Sequence, residues 1–111
     1  MNKITPCGSK PNCVCSLNKP DDKSYFDAVE VTRNPLPRIK DVFKQMGIKV
    51  LEEDENYLHG VATTKIFRFK DDVEFYYDEE KKLLHLKSKS RVGHSDLGTN
   101  RKRMKKILKG L

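Results

Sequence analysis

The chain has 111 residues and a mass of 12.9 kDa, with 23 Lys+Arg against 16 Asp+Glu, a formal net charge of +7 and 35% charged residues. That length fits one domain able to bury roughly two-thirds of its unfolded surface, and it excludes a large multi-site enzyme. Apolar runs such as Val50-Leu51 and Phe75-Tyr76-Tyr77 are short. None approaches the roughly 20 residues of a membrane span. No apolar stretch follows Met1, so the expectation is a cytoplasmic protein without an export signal. The charge is unevenly placed: Met1 to Glu80 carries 12 basic and 15 acidic residues, net −3, and Lys81 to Leu111 carries 11 basic residues and Asp96, net +10. Such asymmetry suits nucleic acid, an anionic membrane surface or an acidic partner, although a solvated helix face is the commoner cause of a charge run.

Residues 1–23 hold three of the five prolines and all three cysteines, with little aliphatic periodicity, and predict an irregular arm packed with a single α+β domain over 24–111. Ser24 to Val31 suggests a strand. Asn34-Pro35-Leu36-Pro37 is a helix entry, because proline fits the first turn where its missing N–H has no partner. Ile39, Val42, Phe43 and Met46 then follow at helical spacing, and Gly47 supplies a left-handed stop.

Beyond Gly47 the period becomes two. The pattern predicts a short strand from Ile48 to Leu51, a turn at Asp54-Glu55-Asn56, and a long strand from Tyr57 to Phe69 with Tyr57, Val61, Phe67 and Phe69 on one parity. Gly60 would mark a bulge or a close approach. Asp71-Asp72 reverses the chain, Val73, Phe75 and Tyr77 alternate with Glu74 and Tyr76, and Asp78 to Lys82 turns again. Leu84 and Leu86 then share a face with Ser88 and Ser90, opposite His85, Lys87 and Lys89. Gly93 to Gly98 reads as a loop into a final helix capped by Ser95, Asp96 or Thr99. Leu97, Met104, Ile107, Leu108 and Leu111 make its apolar stripe, and Arg101, Lys102, Arg103, Lys105, Lys106 and Lys109 its basic surface. The expected fold is a two-layer α+β domain, an antiparallel meander of four to five strands with two helices on one face.

Cys7, Cys13 and Cys15 follow a C-x5-C-x-C pattern that departs from usual zinc spacing, and a fourth ligand would have to be His59, His85 or His94. A Cys7–Cys13 disulfide is geometrically easy, but without an export signal three reduced thiols are the default. Cys13 as a nucleophile would need a base such as His94 with Asp96. Adjacent carboxylates such as Asp71 and Asp72 usually solvate a turn; one of them could pair with Arg91 or Arg101. The stretch from Ser90 to Arg101 combines glycines, hydroxyls, an amide and a helix N-terminus beside two arginines, a pattern suited to a small anion, against which Asp96 argues. The final helix has six basic residues in eleven, enough for phosphate contact, but no aromatic platform for single strands. Its stripe is needed for the core and offers no Phe or Trp to a membrane.

Three segments together resemble a known family: Cys7-Gly8-Ser9-Lys10-Pro11-Asn12-Cys13-Val14, the run Phe67 to Phe75 containing Asp71-Asp72-Val73, and Ser90-Arg91-Val92-Gly93-His94-Ser95-Asp96-Leu97-Gly98-Thr99-Asn100-Arg101. From Cys7 to Leu111 the chain is similar to domain-of-unknown-function family 1499. The resemblance implies a small bacterial or plastid domain with no established activity, extracytoplasmic or membrane-associated in many members. That placement would apply here if Met1 is not the native start. It singles out Cys7, Pro11, Asn12, Cys13, Asp71, Asp72, Ser90, Arg91, Gly93, Ser95, Asp96, Gly98, Asn100 and Arg101. His94 stands where the family usually has Tyr, and Lys10 and Cys15 where serine is usual.

The expected function is that of a binding or accessory domain, more a binder than an enzyme. Its ligand candidates are Asp71, Asp72, Ser90, Arg91, Ser95, Asp96, Asn100 and Arg101, and its partner a small anionic ligand at the 90–101 loop. The alternatives are an electrostatic binder of nucleic acid or anionic lipid through the basic helix, and a thiol or metal site using Cys13. A monomer with no cofactor is expected.

Overall fold

The computed structural model describes residues 2–93 and 95–111. Strands β1 (Cys13–Cys15), β2 (Val29–Glu30), β3 (Lys49–Asp54), β4 (Tyr57–Thr63), β5 (Lys70–Asp78) and β6 (Leu83–Ser90) form one open antiparallel sheet, with helices α1 (Leu36–Met46) and α2 (Thr99–Lys109) on one face. The strand order is β1-β6-β5-β4-β3. Strand β2 shares the outer edge of β6 with β1: β1 pairs with Lys87 to Lys89 and β2 with Leu83 and Leu84. Ser16 bridges the gap by donating its N–H to the Leu86 carbonyl at 3.0 Å. At the other edge β3 exposes Lys49, Glu52, Glu53 and Asp54, charges that discourage edge pairing.

Helix α1 follows its sequence signals. Pro37 lies in the first turn, Leu36, Ile39, Val42 and Phe43 are buried, and Gly47 closes the helix at φ 73°. The main core sets these residues and Met104 and Ile107 of α2 against Ile48, Leu58, Ala62, Val73, Phe75, Tyr77, Leu84 and Leu86. Gly60 marks a close approach, since a Cβ there would lie 2.6 Å from the Phe43 ring. Opposite it, the register of β3 shifts between Val50 and Glu52, so the expected bulge lies on the neighbouring strand.

Several expectations are corrected. The arm is not wholly irregular: all three residues of β1 are buried, and Ile4 packs with Cys15 and Tyr57 on the sheet face opposite the helices. Of the strand expected over 24–31, only Val29–Glu30 is assigned to a strand, with a further single bridge from Tyr25 to Cys15. Strand β4 ends at Thr63, six residues before Phe69. Its main-core parity is Leu58, Gly60 and Ala62, so Phe67 and Phe69 belong to the turn and are exposed. Asp71 and Asp72 do not reverse the chain; they sit within β5, paired with Ser90 and Lys89 of β6. In α2, Leu97 precedes the helix and is exposed, and Leu111 is also exposed. The cysteines are not three reduced thiols: Cys7 and Cys13 are disulfide-bonded, and Cys15 is free and buried.

Candidate functional site

Because Asp71 and Asp72 are consecutive on a strand, they face opposite sides of the sheet. Asp72 lies away from the helices. Arg91 donates to it through Nε at 2.9 Å and Nη2 at 3.0 Å, and His59 Nε2 lies 2.8 Å from Oδ1. The Arg91 hydrogen bonds hold the Asp72 carboxyl below the usual carboxylate range. Nearby, burial and then the Glu74 hydrogen bond push the Tyr57 hydroxyl pKa up.

Asp71 lies on the helix face, 1% exposed. Arg103 Nη2 approaches its Oδ2 to 2.7 Å, a charge contact in which that oxygen receives no aligned hydrogen bond. Beside this pair Asn100 is fully buried. Its amide donates to the Asn12 carbonyl at 3.1 Å, Ser90 Oγ at 3.0 Å and Asp96 Oδ2 at 2.6 Å, and its Oδ1 accepts from Ser88 Oγ at 2.6 Å and Arg103 Nη1 at 3.0 Å. This network ties the disulfide loop, β6 and α2 together. Asn12 completes it by donating from Nδ2 to the Gly93 carbonyl at 2.9 Å.

The loop before α2 is turned by Gly93 (φ 89°), Leu97 (φ 53°) and Gly98 (φ 82°). Gly98, rather than Ser95, Asp96 or Thr99, is the cap residue. Asp96 nevertheless serves the helix start, accepting the N–H of Gly98 at 2.8 Å and of Asn100 at 3.1 Å, which occupies its carboxylate as expected for an acid at a helix N-terminus. Ser95 Oγ accepts from Leu97 N–H. Across from this loop the turn joining β4 to β5 is held by Thr64, whose Oγ1 accepts from Phe69 N–H at 2.9 Å and whose carbonyl accepts from Arg68 N–H at 3.1 Å.

Between the turn and the loop lies a cleft of about 570 Å³, bordered by Ile66, Phe67, Phe69, Val92 and Leu97, with Asp71 and Arg103 also in its lining. Among the described residues seven large hydrophobic side chains are exposed, and these five are the majority. Concentration at one place marks a binding surface better than scattered exposure does. Leu97 is 89% exposed at a positive φ, so it carries a backbone cost of roughly 1–2 kcal/mol while showing a leucine to solvent. The charged residues of the lining are Lys65, Arg103, Asp71 and Asp96. Their formal charges cancel.

Of the sequence candidates, Asp71, Ser90, Ser95 and Asp96 line this cleft, with Asn100 behind them. Asp72 and Arg91 pair on the opposite sheet face. Arg101 donates to the carbonyls of Lys23 and Tyr25 and lies over the Phe26 ring, a role in anchoring the arm. The basic surface of α2 therefore reduces to Lys102, Lys105, Lys106 and Lys109, because Arg103 is mostly buried against Asp71. Sequence reasoning did not include Arg103 or the five apolar side chains among the ligand candidates. A signal for the first existed: Asn100, Arg103, Met104 and Ile107 share the helical stripe facing the sheet, so a polar pair stands on a core-facing face.

The bonded cysteines leave Cys13 without a free thiolate, and burial pushes the Cys15 thiol pKa up. Among the described residues no group of three or more His, Cys, Asp or Glu could hold a metal ion. The readings that used His94 fall outside the described residues. No helix among these residues is long and apolar enough to cross a membrane.

No curated protein matches the chain. The model of DUF1499, described as a protein of unknown function, matches residues 3–111. It therefore takes in the disulfide loop, the Asp71 strand and the loop before α2, and on that match the chain belongs to the DUF1499 family.

Proposed function

We propose that the domain binds a small amphipathic molecule in the cleft between the β4–β5 turn and the loop before α2. The ligand has an apolar body and an uncharged head that both donates and accepts hydrogen bonds. The observation that carries this reading is the placement of five exposed apolar side chains around a buried Asp71–Arg103 pair whose Oδ2 lacks an aligned donor. Burying such side chains contributes about 1.5–3 kcal/mol each when complete, so contact with several of them would make the apolar body of the ligand the main source of its retention against the cost of immobilising it. An anionic head would face Asp71 and Asp96, and a cationic head Arg103 and Lys65. An uncharged hydroxyl or amide can accept from Arg103 without disturbing the charge balance of the lining.

The test is displacement of the uncharged fluorophore N-phenyl-1-naphthylamine by dodecanol, dodecanoate and dodecylamine. Dodecanol should displace it best. Stronger displacement by dodecanoate would restore the small-anion reading and sink this one.

A second reading rests on the exposed row Lys102, Lys105, Lys106 and Lys109, which suits phosphate contact by nucleic acid. Binding that falls steeply with salt and is lost on replacing Lys105 and Lys106 would support it.

A further inference from the structure

The apolar side chains that border the cleft also stand far out of it. Ile66 is 84% and Phe67 72% exposed on one bank, and Leu97 is 89% exposed on the other. A small molecule in the cleft covers the inner sides of these residues, and their outer sides leave apolar area for contact with a broader surface. The β4–β5 turn reads Lys65-Ile66-Phe67-Arg68-Phe69-Lys70, with cations set among apolar residues and no acid between Thr63 and Lys70. Lys65 and Arg68 are exposed. Arg68 sits at φ 58°, so the turn, like the Leu97 loop, is bent through a left-handed residue that is not glycine.

Interleaved cations and apolar groups on short turns match the boundary of an anionic bilayer. Aromatic and aliphatic side chains enter among the acyl chains there, and Lys and Arg extend their stems to the phosphates. A protein partner fits less well, because protein interfaces are depleted in lysine. The acids near the tips do not oppose this: Asp72 is paired with Arg91, Asp71 with Arg103, and Asp96 with backbone N–H groups. The sequence pattern of α2 lacked an insertable aromatic, and in the fold Met104, Ile107 and Leu108 of its stripe pack on the core. The apolar half of a membrane surface lies instead on the two loops.

We infer that the tips Ile66-Phe67 and Leu97, with Lys65 and Arg68, dock this domain on an anionic lipid surface. The inference extends the cleft reading by naming where an amphipathic ligand would be met, and it is tested separately from it. Flotation should be measured with vesicles of phosphatidylcholine alone and of phosphatidylcholine with phosphatidylserine. The wild-type protein should float with the anionic vesicles and much less with the zwitterionic ones, and salt should weaken the association. Phe67→Ser and Leu97→Ser should each weaken partitioning by roughly tenfold. Lys65→Ala and Arg68→Ala should each weaken it by about fivefold at low salt. Circular-dichroism melts of the same variants establish that they fold, which is expected at such exposed positions. Lack of flotation by wild type overturns the inference, as does flotation that survives both serine variants but is lost on replacing Lys105 and Lys106. Fluorophore binding in vesicle-free solution reports on the cleft alone, so either reading can fail while the other stands.

Discussion

Replacing Asn100 by leucine removes the hub of the network beneath the cleft while keeping the branched shape and heavy-atom count of the side chain. Asn12's carbonyl keeps the Ser90 N–H, and Asp96 keeps two backbone donors. Ser88 Oγ, Ser90 Oγ and Arg103 Nη1 lose their Asn100 contacts around a fully buried position. A buried polar group left without its partner costs about 1–3 kcal/mol, offset in part by the added apolar contact of leucine. The expected net loss is about 2–4 kcal/mol. For a domain near this size that lowers Tm by roughly 10–25 °C. Thermal denaturation followed by circular dichroism measures it, with the exposed Lys102→Leu as the control, expected within about 0.5 kcal/mol of wild type. A melting temperature within a few degrees of wild type would show that the network is not the framework of the site.

Other outcomes follow from the pairs around the sheet. Arg91 depresses the Asp72 pKa in the folded state, so this carboxylate stabilises the fold above its unfolded value near pH 4 and loses that effect as pH falls through the lower folded value. Asp72→Asn should cost about 0.5–1 kcal/mol at neutral pH, a modest figure because Arg91 is half-exposed. The gap between variant and wild-type melts should close on acidification; a gap that stays constant or widens would contradict the pairing. Thiol titration without reductant should find no reactive cysteine in the native protein and one, Cys15, in denaturant, whereas three would contradict the disulfide.

Much of the fold was legible because its strongest signals were local. Proline entry, helical spacing and Gly47 specified α1, and alternation separated the two parities of β5 and β6, of which the structure buries the Val73 and Leu84 sides. Strand β1 was hidden because three residues between turns give no period, and its pairing depends on the distant Lys87 to Lys89. The end of β4 was misplaced because Phe67 and Phe69 continue an alternating pattern through the turn. An exposed phenylalanine is indistinguishable in sequence from a buried one. Asp71 looked like a turn residue until Arg103 supplied its charge partner, a contact that only the packing of α2 over β5 and β6 creates. The polar half of the cleft was thus visible as a motif, while its apolar half looked like core.

The most direct test of the cleft is saturable binding of N-phenyl-1-naphthylamine to the wild-type protein and to folded Phe67→Ser and Leu97→Ser variants in vesicle-free solution. One site per chain, displaced best by dodecanol and weakened about tenfold in each variant, is the expected result. Absence of saturable binding, or binding indifferent to both substitutions, would contradict a ligand site between the two loops.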